Sequence, residues 1–578
     1  RIGGRRREAV RQGGRCRRDR PRVALGEGLG TVQVVLAEGL GPGAARRFEQ
    51  RCEERQKILH NLHQLQHQRK LLAVARERGE LGGATVLQEE DARRLIQIWH
   101  LRLEFLARLD QVDDLDLSPE AWGGFGDRSS SSSSSSSSAH GPQKLKQLRG
   151  PAAEVSEEFW NSLLGPDDSV FLEYGFLSSL EESGCADLSR GWQPRFLLAR
   201  GGGRIVGAVP LYLKLDSNGE FCEEMDWIAA SHHFRVPHYP KLFVGIPFTP
   251  HRGRRLIAAD WLGSAERAAV EQALLRALVL LSERAKLGVN VAFGAAEEGE
   301  LFRTAGFIRR PARQAWWTNR RPEPYQDFED FLGALKPKKA RAIQRQRKEL
   351  AAEKSLEIEV VDGALDASAV TVELMTEVFR CCYASTQVRH GNAEPMGPKE
   401  IRFDLSPGFF RLLAERFPHR ILLVLARHRP PVESRDSPDD EGPRGMLVGG
   451  SLCFVKGRRI CGRYWGHPLG SERVDFLHFE CCYHQLVEHA IKHGYSAVEP
   501  GNGGGSIYRV QRDRGFEPVF TPSYHRVPHP ELHEELERLA SQAMEEGPPS
   551  WATARHGAYA PASRKAARRP PEGREAAG

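Results

Sequence analysis

The chain has 578 residues, about four times the ~150 residues of a typical domain, which excludes a single small module and predicts two or three folding units. Hydrophobic residues make up 40% and charged residues 28%; no run reaches the ~18 uninterrupted apolar residues that span a bilayer, so a soluble intracellular protein, cytoplasmic or organellar with a plastid as one option, is expected. The formal net charge is +7, but residues 1–24 alone hold ten Arg against Glu8 and Asp19, so that segment carries +8 and leaves −1 for the remainder.

Residues 1–47 therefore read as a basic, disordered tail. The chain opens on Arg1 rather than Met, which fits a fragment or a processed form. Its Arg-rich, acid-poor start fits the remnant of an organelle transit peptide, although residues 1–24 contain no Ser. Over 48–118 the spacing predicts a helical hairpin: Ile58, Leu62, Leu65 and Leu72, then Leu95, Trp99, Leu103, Leu106 and Leu109, recur at three- and four-residue steps, with Gly82-Gly83 between the runs. Such a hairpin is either a docking arm or packs on its own body. Residues 119–150 contain an unbroken serine run from Ser129 to Ser138, which buries nothing and reads as a flexible linker.

Beyond the linker the texture becomes mixed α/β. Apolar runs at 195–199 and 205–214 flank Gly201-Gly202-Gly203, a hairpin signal. A loop-rich segment at 215–250, a helix over 264–286, a buried strand at 288–293 and a short helix at 297–304 follow, ending at Gly306-Phe307. The same order returns later. Strands at 421–426, 446–456 and 459–466, the first two separated by a Pro- and acid-rich insert at 430–444, precede a helix over 475–493, a strand at 494–499 and Gly515-Phe516. Two copies of one α/β unit, at 154–319 and 320–527, account for the repetition. Residues 528–578 read as a short helix and a disordered tail.

Ten cysteines, two pairs of them vicinal (Cys381-Cys382 and Cys481-Cys482), are too sparse for a disulfide scaffold and fit a reducing compartment. No C-x-x-C or H-E-x-x-H spacing occurs, and no metal site is expected. His232, His233 and His238 read as part of a polar loop, since carboxylate and thiolate partners are missing beside them.

The segments Pro210-Leu-Tyr-Leu-Lys214, Tyr239-Pro-Lys-Leu242 with Pro247-Phe-Thr-Pro250, Gln314-Ala-Trp-Trp-Thr-Asn319, Gly462-Arg-Tyr-Trp-Gly466, His478-Phe-Glu480 and Glu499-Pro-Gly501 resemble, in that order, the FemAB-like group of the acyl-CoA N-acyltransferase (GNAT) superfamily. The resemblance covers about 154–527. It implies tandem GNAT-like α/β domains behind the helical hairpin, each sheet splayed near its centre with donor held in the splay, and no tightly bound cofactor. Relatives move amino acids from aminoacyl-tRNA to peptidoglycan precursors. The implied activity is transfer of an acyl or aminoacyl group from acyl-CoA or aminoacyl-tRNA to an amine on a small or cell-wall-like acceptor. The alternative is a noncatalytic binding protein that keeps the fold. One departure bears on this choice: where the family has Ala-Gln-Gly-Glu-His-Lys after Glu-Pro-Gly, this chain has Asn502-Gly-Gly-Gly-Ser506, and Arg509, Arg512 and Arg514 follow.

Acyl transfer to an amine needs a proton acceptor and a polarised carbonyl rather than a nucleophilic side chain. Glu499, ending a strand beside glycines, is the candidate base, with a structural carboxylate that pairs with Arg463 or caps the loop as the alternative. His478, off the apolar stripe of its helix, and Tyr464 complete the expected catalytic set, with a packed or surface histidine the commoner alternative for His478 and a core aromatic that for Tyr464. Arg463, Trp465, Glu480 and Tyr239 are assigned to the acceptor pocket. Gly470, Ser471 and Arg473, ahead of a helix, with Gly501 and Gly503, are assigned to donor phosphates; Arg252-Gly-Arg-Arg255 is a second option. Lys338, Arg341, Arg345 and Lys348 fall on one helical face and form a candidate tRNA-binding stripe, or else a solvated charged helix.

Overall fold

The computed structural model describes residues 32–37, 155–222, 224–395, 401–428, 445–501 and 506–546. The expected basic tail before residue 32, the helical hairpin, the serine linker, the 430–444 insert and the tail after 546 lie outside the described residues. Among the described residues, ten strands precede the midpoint of the repeat: β1 (Gln33–Ala37), β2 (Trp192–Pro194), β3 (Phe196–Gly201), β4 (Arg204–Val209), β5 (Leu211–Lys214), β6 (Lys241–Val244), β7 (Ile257–Ala258), β8 (Val289–Val291), β9 (Ile308–Arg310) and β10 (Arg313–Thr318). Nine follow: β11 (Leu356–Asp362), β12 (Glu394–Pro395), β13 (Ile401–Arg402), β14 (Ile421–His428), β15 (Leu447–Lys456), β16 (Arg459–Gly466), β17 (Ala497–Glu499), β18 (Glu517–Phe520) and β19 (Ser523–Arg526).

Pro210 separates β4 from β5. A proline has no N–H for the ladder, and here the hairpin passes from a four-stranded sheet, order β1-β3-β4-β7, into a six-stranded sheet, order β2-β5-β6-β8-β19-β9. The helix Ser264–Ala285 covers the first of these sheets through Val270, Leu274, Leu278 and Leu281, all buried at helical spacing. It ends where Lys286 takes a left-handed conformation at φ 54°. The second unit is a seven-stranded sheet, order β11-β14-β15-β16-β17-β10-β18, with β12 and β13 paired apart from it. The architecture is mixed α/β. Each large sheet contains one parallel pair, β6 with β8 and β16 with β17, and each pair lasts three rungs.

The two sheets exchange strands. β10 lies between β17 and β18 in the second unit's sheet, with Trp317 opposite Val498 and Ala315 opposite Pro518. β19, from the far end of the chain, lies between β8 and β9 in the first, with Tyr524 opposite both Val291 and Arg309. The hydrogen-bonded units thus cross the sequence boundary expected at residue 319, because after each Gly-Phe turn the first strand, β9 or β18, stays in its own sheet and the second, β10 or β19, sits in the other unit's sheet. Tyr524 stacks on Phe302 at 4.8 Å and is 1% exposed, so the exchanged strand is core.

Both vicinal cysteine pairs fall in wide π-helical turns, Phe379–Ala384 and Glu480–His484, each set within a longer helical stretch. The extra residue in such a turn rotates the following helix face. The single helix expected over 475–493 accordingly starts at Leu477, widens at Glu480–His484 and resumes as Gln485–Lys492. The expected loop at 215–250 contains a helix, Met225–His233, which carries His232 and His233 in its last turn; His238 instead pairs with Glu224 at 2.8 Å. Among the described residues no helix is long and apolar enough to cross a membrane.

Candidate functional site

The site grows from the point where β16 and β17 part. Arg459, Ile460 and Cys461 pair with Ala497, Val498 and Glu499; then β17 ends at Glu499 while β16 runs on to Gly466. Alternation sends Ile460 and Val498 into the second unit's own core, and Cys461 to the opposite face, against the core shared with the first unit. Glu499, the rung partner of Cys461, shares that face. Its side chain is only 2% exposed.

Backbone without Cβ atoms makes the turn after Glu499. Gly501 has φ 88°, and a Cβ there would lie 3.0 Å from the Gly462 carbonyl oxygen; a Cβ on Gly462 would lie 3.2 Å from the Pro500 Cα. Gly501 therefore serves the crossing of two chain segments. Replacing it by Ala is expected to lower stability by about 1–3 kcal/mol through left-handed strain and this close approach, read as a fall in the thermal midpoint with a native circular dichroism spectrum. A midpoint within 1 °C, about experimental scatter, would show that the crossing tolerates a methyl group.

The first unit contributes His251 to the same face. Its Nε2 lies 2.5 Å from Glu499 Oε2 and 3.2 Å from Cys461 Sγ, and its Nδ1 is 3.0 Å from Ser169 Oγ. Fully buried Arg255 fixes the backbone behind this imidazole by donating to the His251 carbonyl at 2.6 Å and to the Ala292 carbonyl at 2.9 Å. Arg459 reaches Glu499 Oε1 at 3.4 Å and also donates to the Asp167 carbonyl, while Glu499 Oε2 has no aligned hydrogen-bond donor. The carboxylate's pairing cation is thus Arg459, not Arg463. Burial pushes the Cys461 thiol well above its ordinary range, reinforced by the neighbouring Glu499 carboxylate, so the thiol is protonated at neutral pH.

Of the expected catalytic set, Tyr464 shares the general face of Glu499 but His478 does not. Tyr464 packs at 5.0 Å from Tyr383, and its hydroxyl accepts from Arg463 Nη2 at 3.1 Å. Arg463 also donates to the Phe248 carbonyl across the seam between the units. His478 lies against Trp465 at 5.2 Å and Tyr483 at 5.5 Å, beside the second unit's own core. Burial holds its pKa down to about 4, with Arg514 and Arg473 adding to the effect. It is a neutral packed imidazole on the other side of the sheet, and the expected Glu499-His478-Tyr464 constellation does not form. The imidazole beside Glu499 is His251.

The remaining assignments scatter for identifiable reasons. Glu480 binds Arg347 and Gln485, with His484 Nδ1 3.1 Å away; it is a structural hub of the helices. Tyr239 donates to Glu220 at 3.2 Å within a separate buried cluster around Lys241 and Glu224. Ser471 hydrogen-bonds the Pro468 carbonyl at 2.8 Å and faces His467, in a turn where Gly470 has φ 75°. This turn ends well before Leu477, so Gly470, Ser471 and Arg473 do not form the first turn of a helix. Gly503 lies outside the described residues. Arg252 and Arg254 engage Glu297 and Asp168, Arg255 is buried as above, and Arg514 lies over the Phe479 ring at 3.5 Å. None of these four is a free phosphate ligand.

The basic stripe is laid out as the periodicity predicts. The helix Pro337–Ala351 buries Ile343 and Leu350, ties Lys339 to the Arg512 carbonyl and Arg347 to Glu480 and Glu488, and leaves Lys338, Arg341, Arg345 and Lys348 exposed. Arg345 approaches Glu349 at 3.6 Å.

The FemAB_like family model, described as peptidoglycan biosynthesis/recognition, matches residues 151–554. No curated protein sequence matches the chain. Solved structures similar to it include FemX (12% identity, TM-score 0.39, 66% of this chain and 99% of that one). Others are L-PGS from Bacillus licheniformis (10%, 0.34, 63% and 95%) and a tandem GNAT protein from the clavulanic acid biosynthesis pathway (13%, 0.29, 59% and 84%).

Proposed function

The chain belongs to the FemAB_like family, and on that premise we propose that it transfers an acyl or aminoacyl group from acyl-CoA or aminoacyl-tRNA to an amino group at the parting of β16 and β17. The observation that carries this reading is Glu499: a buried carboxylate with one oxygen lacking an aligned donor, at the place where a strand loses its parallel neighbour. In this reading the acceptor amine attacks the donor carbonyl, the new C–N bond forms as the thioester or ester bond breaks, and the amine proton passes to Glu499 Oε2 and from there to the CoA sulfur or tRNA ribose oxygen as it departs. His251 Nε2, 2.5 Å away, shares that proton. The β16–β17 pairing stops at Cys461, and in this reading the carbonyl is polarised by backbone N–H groups at that parting. Tyr464 and Arg463 close the site along the seam.

The test uses the purified chain with acetyl-CoA and, separately, aminoacyl-tRNA, against small and cell-wall-derived amines. Amine-dependent thiol release or deacylation supports transfer. Neither, across the panel, would favour the family's recognition role and a binding protein instead.

The exposed stripe on Pro337–Ala351 discriminates the donors. If tRNA docks there, changing Lys338, Arg341, Arg345 and Lys348 singly to Ala should flatten the slope of log K against log salt by about 0.7 for each phosphate that is no longer neutralised. Unaltered slopes would remove the stripe from donor binding.

A further inference from the structure

We propose that His251, Cys461 and Glu499 form a binding site for a thiophilic divalent cation of the zinc class. Cys461 and Glu499 arrive from neighbouring strands of the second unit, and His251 from a loop of the first. Their ligand atoms all lie within 4.8 Å of one another, and all three residues are buried. The set of one thiolate, one imidazole and one carboxylate matches zinc's preference for mixed sulfur, nitrogen and oxygen ligands.

Two further observations point to a cation rather than to packing alone. Glu499 Oε2 is buried without an aligned hydrogen-bond donor although it sits 2.5 Å from His251 Nε2. The aligned partner of that ring nitrogen is Cys461 Sγ instead, so carboxylate and thiol both converge on one imidazole nitrogen, and an ion entering there takes the place of the Nε2–Sγ hydrogen bond. The other ring nitrogen, Nδ1, faces Ser169 Oγ at 3.0 Å. That hydrogen bond lets the imidazole donate from Nδ1 and keep its Nε2 lone pair for a metal, the usual outer-sphere arrangement of a histidine ligand.

A tetrahedral zinc ion needs nitrogen–oxygen ligand separations of about 3.3 Å and nitrogen–sulfur separations of about 3.6 Å. The 3.2 Å Nε2–Sγ spacing is close to this, and the 2.5 Å Nε2–Oε2 spacing has to open by about 0.8 Å to reach it. Three protein ligands leave the fourth position for water or substrate. On binding, the metal–sulfur bond replaces the Cys461 S–H bond and one proton leaves to solvent, so affinity falls as the pH is lowered. Because the ligands come from both units, the cation would pin the seam between them. If Glu499 is the base of the proposed transfer, loading would also occupy its free oxygen and suppress turnover; that consequence rests on the functional reading, whereas the metal site does not.

The test is a titration of the chelator-stripped full chain with Co²⁺, followed by displacement with Zn²⁺. A thiolate-to-cobalt charge-transfer absorption is expected, saturating at about one equivalent and abolished by Zn²⁺. Cys461→Ser should eliminate the band, and His251→Ala should weaken binding by more than tenfold. Ser169→Ala should weaken it by about 10- to 100-fold while keeping the band. The charge-transfer band separates this site from histidine-only binding elsewhere in the chain. Absence of the band in the unaltered chain, or its persistence in Cys461→Ser, would overturn the proposal. If the variants fail to fold, absence of the band in the unaltered chain still overturns the proposal. Both results are independent of whether any acyl donor is ever turned over.

Discussion

A chain ended at Thr521 is expected to lose the fold of its first unit, although no residue between 155 and 320 is altered. The deletion removes β19, which is paired on both sides, to β8 through Tyr524, His525 and Arg526 and to β9 through Ser523, Tyr524 and His525. Deleting the buried aromatic Tyr524, stacked on Phe302, costs about 3–5 kcal/mol by itself. The helix Pro530–Glu546 goes with it, and its Leu532 and Leu536 are packed with Trp227 and Ile308. Two open strand edges and a bared core together exceed the ~5–15 kcal/mol of stability of an ordinary domain. The truncated chain should show no cooperative melting of the first unit and rapid proteolysis between 155 and 312. A cooperative transition within about 5 °C of the full chain, the scale of a 1 kcal/mol change or so, would make β19 dispensable and defeat the expectation.

Glu499→Gln should lower turnover by about 10²- to 10⁴-fold, the range for removing a positioned general base. Gln keeps the shape of the side chain and an acceptor for Arg459, and that arginine is partly exposed, so folding should change little. The assay belongs in the presence of a chelator, so that metal occupancy does not enter the comparison. A parallel His251→Gln variant separates the two roles: if the imidazole only shares the proton, its loss should cost less than that of the carboxylate. Unchanged turnover in Glu499→Gln, with a native spectrum, would make the carboxylate structural.

The fold is legible where pattern is local. The repeated strand, helix, strand and Gly-Phe order marks both units, and β16 occupies 459–466 as its apolar run implies. The exchange of β10 and β19 is not legible, since an exchanged strand has the same alternation as one that stays at home. Glu499 stands out because a carboxylate at a strand end beside glycines is unusual; its neighbours do not. His251 lies 210 positions from Cys461, in a segment whose arginines draw attention away from it, and no spacing rule spans such a separation. His478 misleads for a definite reason: helix periodicity sets it off the apolar stripe, but the π-helical turn at Glu480–His484 changes the helix phase beyond it, and Trp465 covers its ring.

Strand exchange also sets a schedule for synthesis. The ribosome finishes β9 at Arg310, yet the neighbour of that strand, β19, is not complete until Arg526. At about 5–20 residues per second the intervening stretch takes roughly 10–40 s to make. Throughout that interval the first sheet has a gap where its fifth strand belongs, with β8 and β9 open on facing edges. The nascent first half therefore has to be held unaggregated for much longer than an autonomous domain of its size, and the second half supplies both its own fold and the closing strand of the first.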